Sequence, residues 1–110
     1  MATINISLDE RPEGVVATVV LDRPEKLNAM SSPMVEQLRV AAADLRSREN
    51  LRCVIITGVN DKAFCAGSDL KELSELTSGS AGGFLRKTHD TLQAIRDIPV
   101  PVIARIQGPC

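Results

Sequence analysis

The sequence predicts a layered α/β fold, and three observations favour it. Short β-branched runs alternate with longer segments of helical periodicity, so both kinds of element are expected. Their predicted order begins strand, strand, helix, strand, and a helix between two strands implies a crossover connection. The 110 residues are 44% hydrophobic and 25% charged, which is ordinary for a globular domain. We therefore expect one domain at most.

The first two strands are predicted to form a β-hairpin. Ile4, Ile6 and Leu8 alternate with polar neighbours, as in a half-buried strand, and Gly14 follows at a turn. The next run, Val15–Leu21, is β-branched and nearly continuous, which indicates burial on both faces. A proline three residues later ends it, because proline cannot donate to a sheet ladder.

A first helix and a third strand follow. Ser32 is expected to cap the helix, since its hydroxyl can accept from free amides, and Pro33 suits the first helical position. The apolar residues at helical spacing are Met34, Leu38, Ala41, Ala42 and Leu45. They predict an amphipathic helix with one buried face. Cys53–Gly58 is short, apolar and β-branched, which predicts a central strand.

A second helix is predicted from Asp69, which is its natural cap. Leu70, Leu73 and Leu76 lie at helical spacing, so we expect them to face inward. Thr77–Gly83 is rich in Ser and Gly and is predicted to be a mobile surface loop.

A third helix is predicted over about residues 84–97. Its expected inward residues are Phe84, Leu85, Thr88, Leu92 and Ile95. Pro99 and Pro101 precede Val102–Ile106, which is predicted to be a buried strand. Gln107–Cys110 has the character of a loop that opens towards a further element.

Composition argues against several classes of function. Aromatic residues make up 2% of the chain, so no stacking platform for nucleic-acid bases is expected. The net charge of -1 gives no global field to attract DNA, RNA or anionic lipid. Neither a leader nor an apolar run of about 18 residues is visible. Cys53, Cys65 and Cys110 lack metal-ligand spacing and suit a reducing compartment. We therefore expect a cytoplasmic protein that binds no metal, nucleic acid or membrane.

The segment Lys62–Leu70 leaves a predicted strand, passes through small residues and enters a helix. Small side chains at Ala66, Gly67 and Ser68 let a ligand approach the main chain, where free amides carry partial positive charge. An NH presented there can stabilise an oxygen on which negative charge develops, an effect of about 3 to 4 kcal/mol per donor in other enzymes. From spacing alone, an ordinary capped turn at Asp69 is favoured, and an oxyanion site is the alternative.

Three blocks of the sequence resemble the enoyl-CoA hydratase/isomerase (crotonase) superfamily. They are Arg23–Met30, Ala63–Leu73 and Ile98–Gly108, in family order and with family-like separations. The resemblance extends over essentially the whole chain. It implies a crotonase-like ββα spiral fold, incomplete at the C-terminus. Residues 1–110 would form the N-terminal part of a single acyl-CoA-binding domain.

The resemblance implies a role for the main chain at Ser68. Its NH would be one of two amides that grip the thioester carbonyl, and the backbone of Ala66 would meet the pantetheine arm. Ala29 resembles the position beside the adenine of coenzyme A. Lys26 and Lys62 are implied partners for the phosphates of that coenzyme.

The same resemblance implies positions for the residues that follow. Leu70 would form a wall of the acyl pocket, and Lys71 would lie at its mouth. The implied set for substrate and coenzyme A binding is Lys26, Ala29, Lys62, Ala66, Ser68, Asp69, Leu70 and Lys71. Coenzyme A enters as part of the substrate, and neither a metal nor a redox cofactor is implied.

By resemblance, the second oxyanion amide and the catalytic acids lie beyond Cys110. Glu72 and Glu75 are expected to be solvated surface charges rather than replacements for those acids. The 110 residues alone are therefore expected to be inactive. A complete protein would hydrate or isomerise enoyl-CoA as a homo-oligomer, a trimer or dimer of trimers.

Two alternatives stay open. One is a truncated, non-catalytic α/β binding or interaction module, and the other is a different crotonase activity, such as dehalogenase, decarboxylase or acyl-CoA hydrolase. Other nucleophiles fit poorly. His89 is expected at the surface without a paired nucleophile, and Cys65 is expected to be a small buried residue without a base. Ser68 lacks the second glycine of a nucleophile elbow.

Overall fold

The computed structural model describes residues 3–110. Its elements are β1 (Ile4–Arg11), β2 (Gly14–Leu21), α1 (Ser32–Arg46), β3 (Leu51–Gly58), α2 (Leu70–Ser74), α3 (Ala81–Arg96) and β4 (Val102–Arg105). The strands form one sheet in the order β1, β2, β3, β4, antiparallel between β1 and β2 and parallel elsewhere. The predicted layered α/β arrangement with a crossover is confirmed. Within this described part, each helix is too short or too polar to cross a membrane.

The predicted N-terminal hairpin is confirmed, but its burial differs from the expectation. β1 pairs with β2 along its whole length. Ile4 is buried and its NH donates to Oε1 of Gln37 on α1 at 3.1 Å. Ile6 and Leu8 are 38% and 40% exposed, so the expected half-buried strand is wrong beyond Ile4. The reason is that β1 is an edge strand and α1 reaches only its beginning.

β2 is buried on one face only, so the expected burial on both faces is wrong. The buried residues alternate along the strand as Val15, Ala17, Val19 and Leu21. They belong to one core together with the apolar face of α1. The intervening side chains are half-buried because a strand directs successive side chains to opposite faces, away from that core.

α1 connects β2 to β3 and supplies the helical half of the core. Its buried residues are the five predicted ones, Met34, Leu38, Ala41, Ala42 and Leu45. The cap is Ser31 rather than the predicted Ser32, since Ser31 Oγ accepts from Met34 N at 3.3 Å. Ser31 has the extended backbone that a capping residue needs, whereas Ser32 is already helical.

β3 is the predicted central strand, and it begins two residues earlier than expected, at Leu51. It lies between β2 and β4 and is parallel to both. β4 is shorter than predicted and is not buried: Ile103 is 51% exposed, and Ile106 beyond its end is 56% exposed. The prediction of a buried last strand is wrong because β4 is the second edge of the sheet.

α2 begins after Asp69 as predicted but contains only five residues, none of them buried. Leu70 is 80% exposed and Leu73 is 39% exposed, so the expected inward face of this helix is wrong. Leu76, the third of these leucines, is half-buried and borders a hollow together with Phe84. Because α2 ends at Ser74, before Leu76, the three leucines do not form one buried helical face.

α3 packs against α1 through a narrower face than predicted. It begins at Ala81, so the end of the predicted loop Thr77–Gly83 is helical. Leu85 and Leu92 are 65% and 56% exposed, and their expected inward position is wrong. The one fully buried residue of α3 is Thr91.

Candidate functional site

The candidate site lies where two loops meet at one end of the strands. The first, which we call the β2 loop, spans residues 22–31, and the second, the β3 loop, spans residues 59–69. Because β2 and β3 are parallel neighbours, both loops leave the sheet at the same end of the strands. In α/β proteins this end, beyond the carboxyl ends of the strands, is where ligands commonly bind.

Three main-chain hydrogen bonds join the two loops. Ala66 N donates to Leu27 O at 3.0 Å, Met30 N donates to Gly67 O at 2.7 Å, and Asp69 N donates to Met30 O at 3.0 Å. The segments therefore lie side by side as in a short piece of parallel sheet. This pairing sets the direction of the peptide groups between Ala66 and Asp69.

The buried side chain of Asn28 also connects the same two loops. It is 1% exposed, and its side-chain oxygen accepts from Arg23 N at 2.8 Å. Its Nδ2 donates to Ala63 O at 3.2 Å and to Phe64 O at 3.1 Å. Asn28 also has a left-handed backbone with φ of 59°, a conformation that Asn tolerates better than most residues. Its buried amide group thus supports both loops at once.

The residues after β4 support the β3 loop from the other side. Gln107 Nε2 donates to Ala63 O at 3.2 Å, and Phe64 N donates to Pro109 O at 2.8 Å. Gly58 leaves the room that this packing needs, because a Cβ on it would lie 2.6 Å from Ala63 O. The base of the loop is therefore held on two sides by hydrogen bonds.

The NH of Ser68 points away from the β2 loop. The trans peptide between Gly67 and Ser68 directs its C=O and N–H in opposite directions, and the C=O accepts from Met30 N. Ser68 is exposed, and its NH donates no hydrogen bond within residues 3–110. Gly67 has φ of +104°, a conformation that side chains rarely adopt. The loop therefore presents a free main-chain NH outward, as an oxyanion donor requires.

A cleft of about 470 Å³ lies on one side of Ser68, and we call it the polar cleft because four of its lining side chains are charged. Its lining residues are Arg23, Lys26, Ala29, Ala66, Ser68, Asp69, Leu70 and Lys71. Three of these carry a positive charge and one carries a negative charge, so the cleft is electrically suited to an anion. Seven of the eight predicted binding residues lie in it. Lys62 does not: it is exposed in the first part of the β3 loop.

An apolar hollow of about 210 Å³ lies on the other side of Ser68, between α1 and α3. Its lining residues are Met30, Val35, Leu38, Cys65, Gly67, Ser68, Phe84, Thr88, Thr91 and Leu92. Leu70 is not among them, and its predicted role as a wall of an acyl pocket stays a prediction. Ser68 is the residue that borders both hollows.

Arg23 and Asp69 form an ion pair in the wall of the polar cleft. Their side chains are 17% and 12% exposed, and Arg23 Nη1 lies 2.8 Å from Asp69 Oδ2. The same Nη1 donates to Ala29 O at 2.8 Å. The hydrogen bond from Arg23, followed by one from the Glu72 amide, lowers the pKa of Asp69. Arg23 was missed as a site residue, although it lies within the first block that resembles the family.

The remaining side chains that were weighed for catalysis have the following positions. Glu72 is half-buried, and its carboxylate accepts from the NH of Ser32 at 2.9 Å in a solvent-exposed contact, so it is a surface charge that is hydrogen-bonded to the start of α1. Glu75 and His89 are exposed, as expected. Cys65 is half-buried, and its Sγ accepts from Gly67 N at 3.4 Å. In the part of the chain that the structure covers, His, Cys, Asp and Glu side chains form no cluster suited to a metal ion.

Comparison with known proteins assigns the chain to a family. The family model described as enoyl-CoA hydratase/isomerase matches residues 10–110. The chain belongs to the enoyl-CoA hydratase/isomerase family. A relative in this family is YngF of Bacillus subtilis, which is named as an enoyl-CoA hydratase/isomerase. It is 38% identical over 93 residues, which are 84% of this chain and 36% of YngF.

Other members of the enoyl-CoA hydratase/isomerase family agree in sequence and in fold. The mitochondrial methylglutaconyl-CoA hydratase of Mus musculus is 35% identical over 92% of this chain and 32% of its own length. The crystal structure of an enoyl-CoA hydratase/carnithine racemase from Magnetospirillum magneticum matches with a TM-score of 0.89 and 34% identity, over 100% of this chain and 40% of that chain. The predicted crotonase fold is thereby confirmed. The chain spans between about a third and two fifths of the length of these relatives.

Proposed function

We propose that this chain binds an acyl-CoA thioester and donates the Ser68 NH to its carbonyl oxygen. In a complete protein, this amide would be one half of an oxyanion hole for the hydration or isomerisation of an enoyl-CoA. The observation that carries the proposal is the free, outward Ser68 NH between a basic cleft and an apolar hollow. An acyl-CoA has the matching pattern, with an anionic nucleotide arm on one side of the carbonyl and an apolar chain on the other.

The chemistry needs such a donor. Adding water to an α,β-unsaturated thioester, or moving its double bond, passes through an enolate-like species whose negative charge collects on the thioester oxygen. A preorganised NH beside this oxygen stabilises the charged species more than the neutral substrate, and each donor contributes about 3 to 4 kcal/mol. The thioester is the substrate, and the proposed step requires no further cofactor.

The surrounding residues suit the two arms of the substrate. Lys26 and Lys71 line the polar cleft and are proposed to attract the coenzyme A phosphates. Ala66 NH is occupied by Leu27 O, so the proposed contact of Ala66 with the pantetheine arm falls to its carbonyl. The acyl chain is assigned to the hollow between α1 and α3.

These 110 residues are proposed to bind without turnover. Asp69, the carboxylate beside the Ser68 amide, is held by Arg23 and caps α2 through Oδ1, 3.2 Å from Glu72 N. A carboxylate kept ionised by an arginine is a poor general acid. We therefore expect no hydration of crotonyl-CoA by this chain alone, and measurable turnover in a direct assay would contradict this part of the proposal.

Binding and carbonyl polarisation test the proposal directly. The chain is titrated calorimetrically with butyryl-CoA labelled with 13C at the thioester carbonyl, and the carbonyl stretch of the bound ligand is read by difference infrared spectroscopy. We expect binding together with a shift of the stretch to lower frequency, because hydrogen bonding from Ser68 weakens the C=O bond. Saturation with no frequency shift would contradict the role of Ser68, and no binding at all would contradict the ligand.

A pair of glycine variants makes the test specific. Gly67→Ala forces a side chain onto a residue with φ of +104°, which is expected to turn the Gly67–Ser68 peptide and remove the frequency shift. Gly82→Ala is the control, because its added Cβ meets no atom within 4 Å and α3 tolerates alanine. Equal spectra for the two variants would contradict a role for the peptide orientation.

A further inference from the structure

We propose that Arg23 is a positioning residue that holds the β2 loop and the β3 loop together and thereby aims the Ser68 amide. This role rests on the proposed function of that amide as a thioester donor. Arg23 would not touch the reacting carbonyl itself. It acts through Ala29 in its own loop and through Asp69, the residue next to Ser68.

A single nitrogen of Arg23 joins the two loops. Nη1 lies 2.8 Å from Ala29 O in the β2 loop and 2.8 Å from Asp69 Oδ2 beyond Ser68. The main chain of Arg23 is itself fixed, since its NH donates to Asn28 Oδ1 at 2.8 Å and its C=O accepts from Asn28 N at 2.9 Å. The guanidinium therefore extends from a fixed backbone and bridges the β2 loop and the β3 loop beside the polar cleft.

Apolar packing does not hold this part of the β3 loop. Ala66, Gly67 and Ser68 are exposed, and α2, which follows them, has no buried residue. The direction of the Ser68 NH thus depends on polar contacts: the main-chain bonds to Met30 on one side and the Arg23 pair on the other. The pair is the more sheltered side-chain contact, with 17% and 12% exposure against 39% and 52% for the surface pair of Arg48 and Asp44.

The two ends of Asp69 separate positioning from capping. Oδ1 accepts from Glu72 N at 3.2 Å and caps α2, whereas Oδ2 accepts from Arg23. Asparagine is as good a helix cap as aspartate. Asp69→Asn therefore keeps the cap and removes the charge that pairs with Arg23. Arg23→Met keeps an extended apolar stem and removes both donors, so the two variants break the same contact from opposite sides.

The first measurement needs no ligand. Backbone 15N relaxation gives the order parameter of the Ser68 amide in the wild-type chain, Arg23→Met, Asp69→Asn and the control Arg48→Met. We expect a fall at Ser68 from about 0.85 to below about 0.6 in the first two variants, with β3 amides unchanged. Arg48→Met is expected to leave Ser68 unchanged. A rigid Ser68 amide in Asp69→Asn would overturn the proposal, even if Arg23→Met fails to fold.

The second measurement uses the labelled butyryl-CoA. We expect the infrared shift of the bound carbonyl to be lost in Arg23→Met and partly restored in Arg23→Lys, which regains a donor but not the planar geometry of Arg. Full wild-type shifts in Arg23→Met and Asp69→Asn would overturn the positioning role while leaving the proposed function intact. A wild-type chain that binds no thioester would overturn the proposed function, and the order parameters would still decide whether Arg23 aims the amide.

Discussion

α1 and α2 flank the site and are attached to the molecule in opposite ways. α1 buries five apolar side chains against the sheet, and two of them, Met34 and Leu45, are 0% and 1% exposed. α2 buries none and is attached through the carboxylates of Asp69 and Glu72, which reach Arg23 and the start of α1. The same helical spacing of apolar residues is present in both sequences.

This difference separates the scaffold from the part for which we propose the chemistry. Apolar burial on α1 gives a stable scaffold that does not depend on protonation or on the screening of charges. The ion pair of Asp69 with Arg23 depends on both, and it adjoins Ser68, the proposed donor. The candidate site therefore combines a stably packed helix, α1, with a more weakly attached one, α2.

The largest expected effect is a matched pair of leucine truncations. Leu45→Ala on α1 removes a side chain that is 1% exposed and is expected to lower the free energy of unfolding by about 2 to 5 kcal/mol. Leu70→Ala on α2 removes one that is 80% exposed and should change it by less than about 0.5 kcal/mol. Urea denaturation followed by circular dichroism measures both. Similar losses in the two variants would contradict the contrast between the helices.

An intermediate effect is expected at Asn28, where a polar contact is as buried as the apolar core. Asn28→Ala leaves Phe64 O without its side-chain donor, removes one of the two side-chain donors to Ala63 O and puts alanine at a left-handed backbone position. We expect a loss of about 2 to 3 kcal/mol. Asn60→Ala is the control, because Asn60 is exposed and its side chain accepts from Lys62 N, whereas the bond from Gln107 Nε2 goes to its backbone oxygen and is kept in the variant. If both variants unfold at the same urea concentration, burial does not decide the strength of these polar contacts.

The smallest expected effect is local and pH-dependent. The hydrogen bond from Arg23 lowers the pKa of Asp69 below its ordinary value of 3.8, so the folded state favours the ionised carboxylate. The resulting stabilisation is fully present above the unfolded-state pKa and is lost as the pH falls through the lower folded-state pKa. Amide chemical shifts across α2 are therefore expected to change below about pH 4 while amides in the buried face of α1 do not.

Two substitutions test which group causes the change in the α2 amide chemical shifts at low pH. Asp69→Asn should abolish the Asp69 contribution to the change in α2. Glu36→Gln is the matched control, because Arg39 lowers the pKa of Glu36 on the surface of α1, and this variant should leave the α2 transition in place. An unaltered α2 transition in Asp69→Asn would show that another group causes it.

Sequence patterns identified the elements better than their burial. The hairpin, α1, the central strand and the start of α2 at Asp69 were all predicted, because periodicity, proline and capping residues act over a few neighbours. The same periodicity placed Leu70, Leu85 and Leu92 inward, and the structure exposes them. Helical spacing states which residues share a face, but burial requires a second surface opposite that face.

In the candidate site, too, the sequence identified some residues and missed those whose role depends on distant contacts. Seven of the eight predicted binding residues line one cleft, because the resemblance that selected them covers both loops in matching register. Arg23 and Gln107 were not selected, since their role is to hydrogen-bond a loop that is 46 and 44 residues away in the chain. A pattern of neighbouring residues contains no information about contacts between residues so far apart in the chain.

By itself, the sequence determined the order of strands and helices, the apolar face of α1 and the short stretch of small residues at Ala66–Ser68. These depend on backbone conformation and on neighbours within a turn or two. The tertiary structure alone decided that the Ser68 NH faces outward. That direction follows from the Gly67 carbonyl accepting from Met30, a residue of the other loop. The peptide unit is planar and trans, so fixing its carbonyl from one side leaves its NH free on the other.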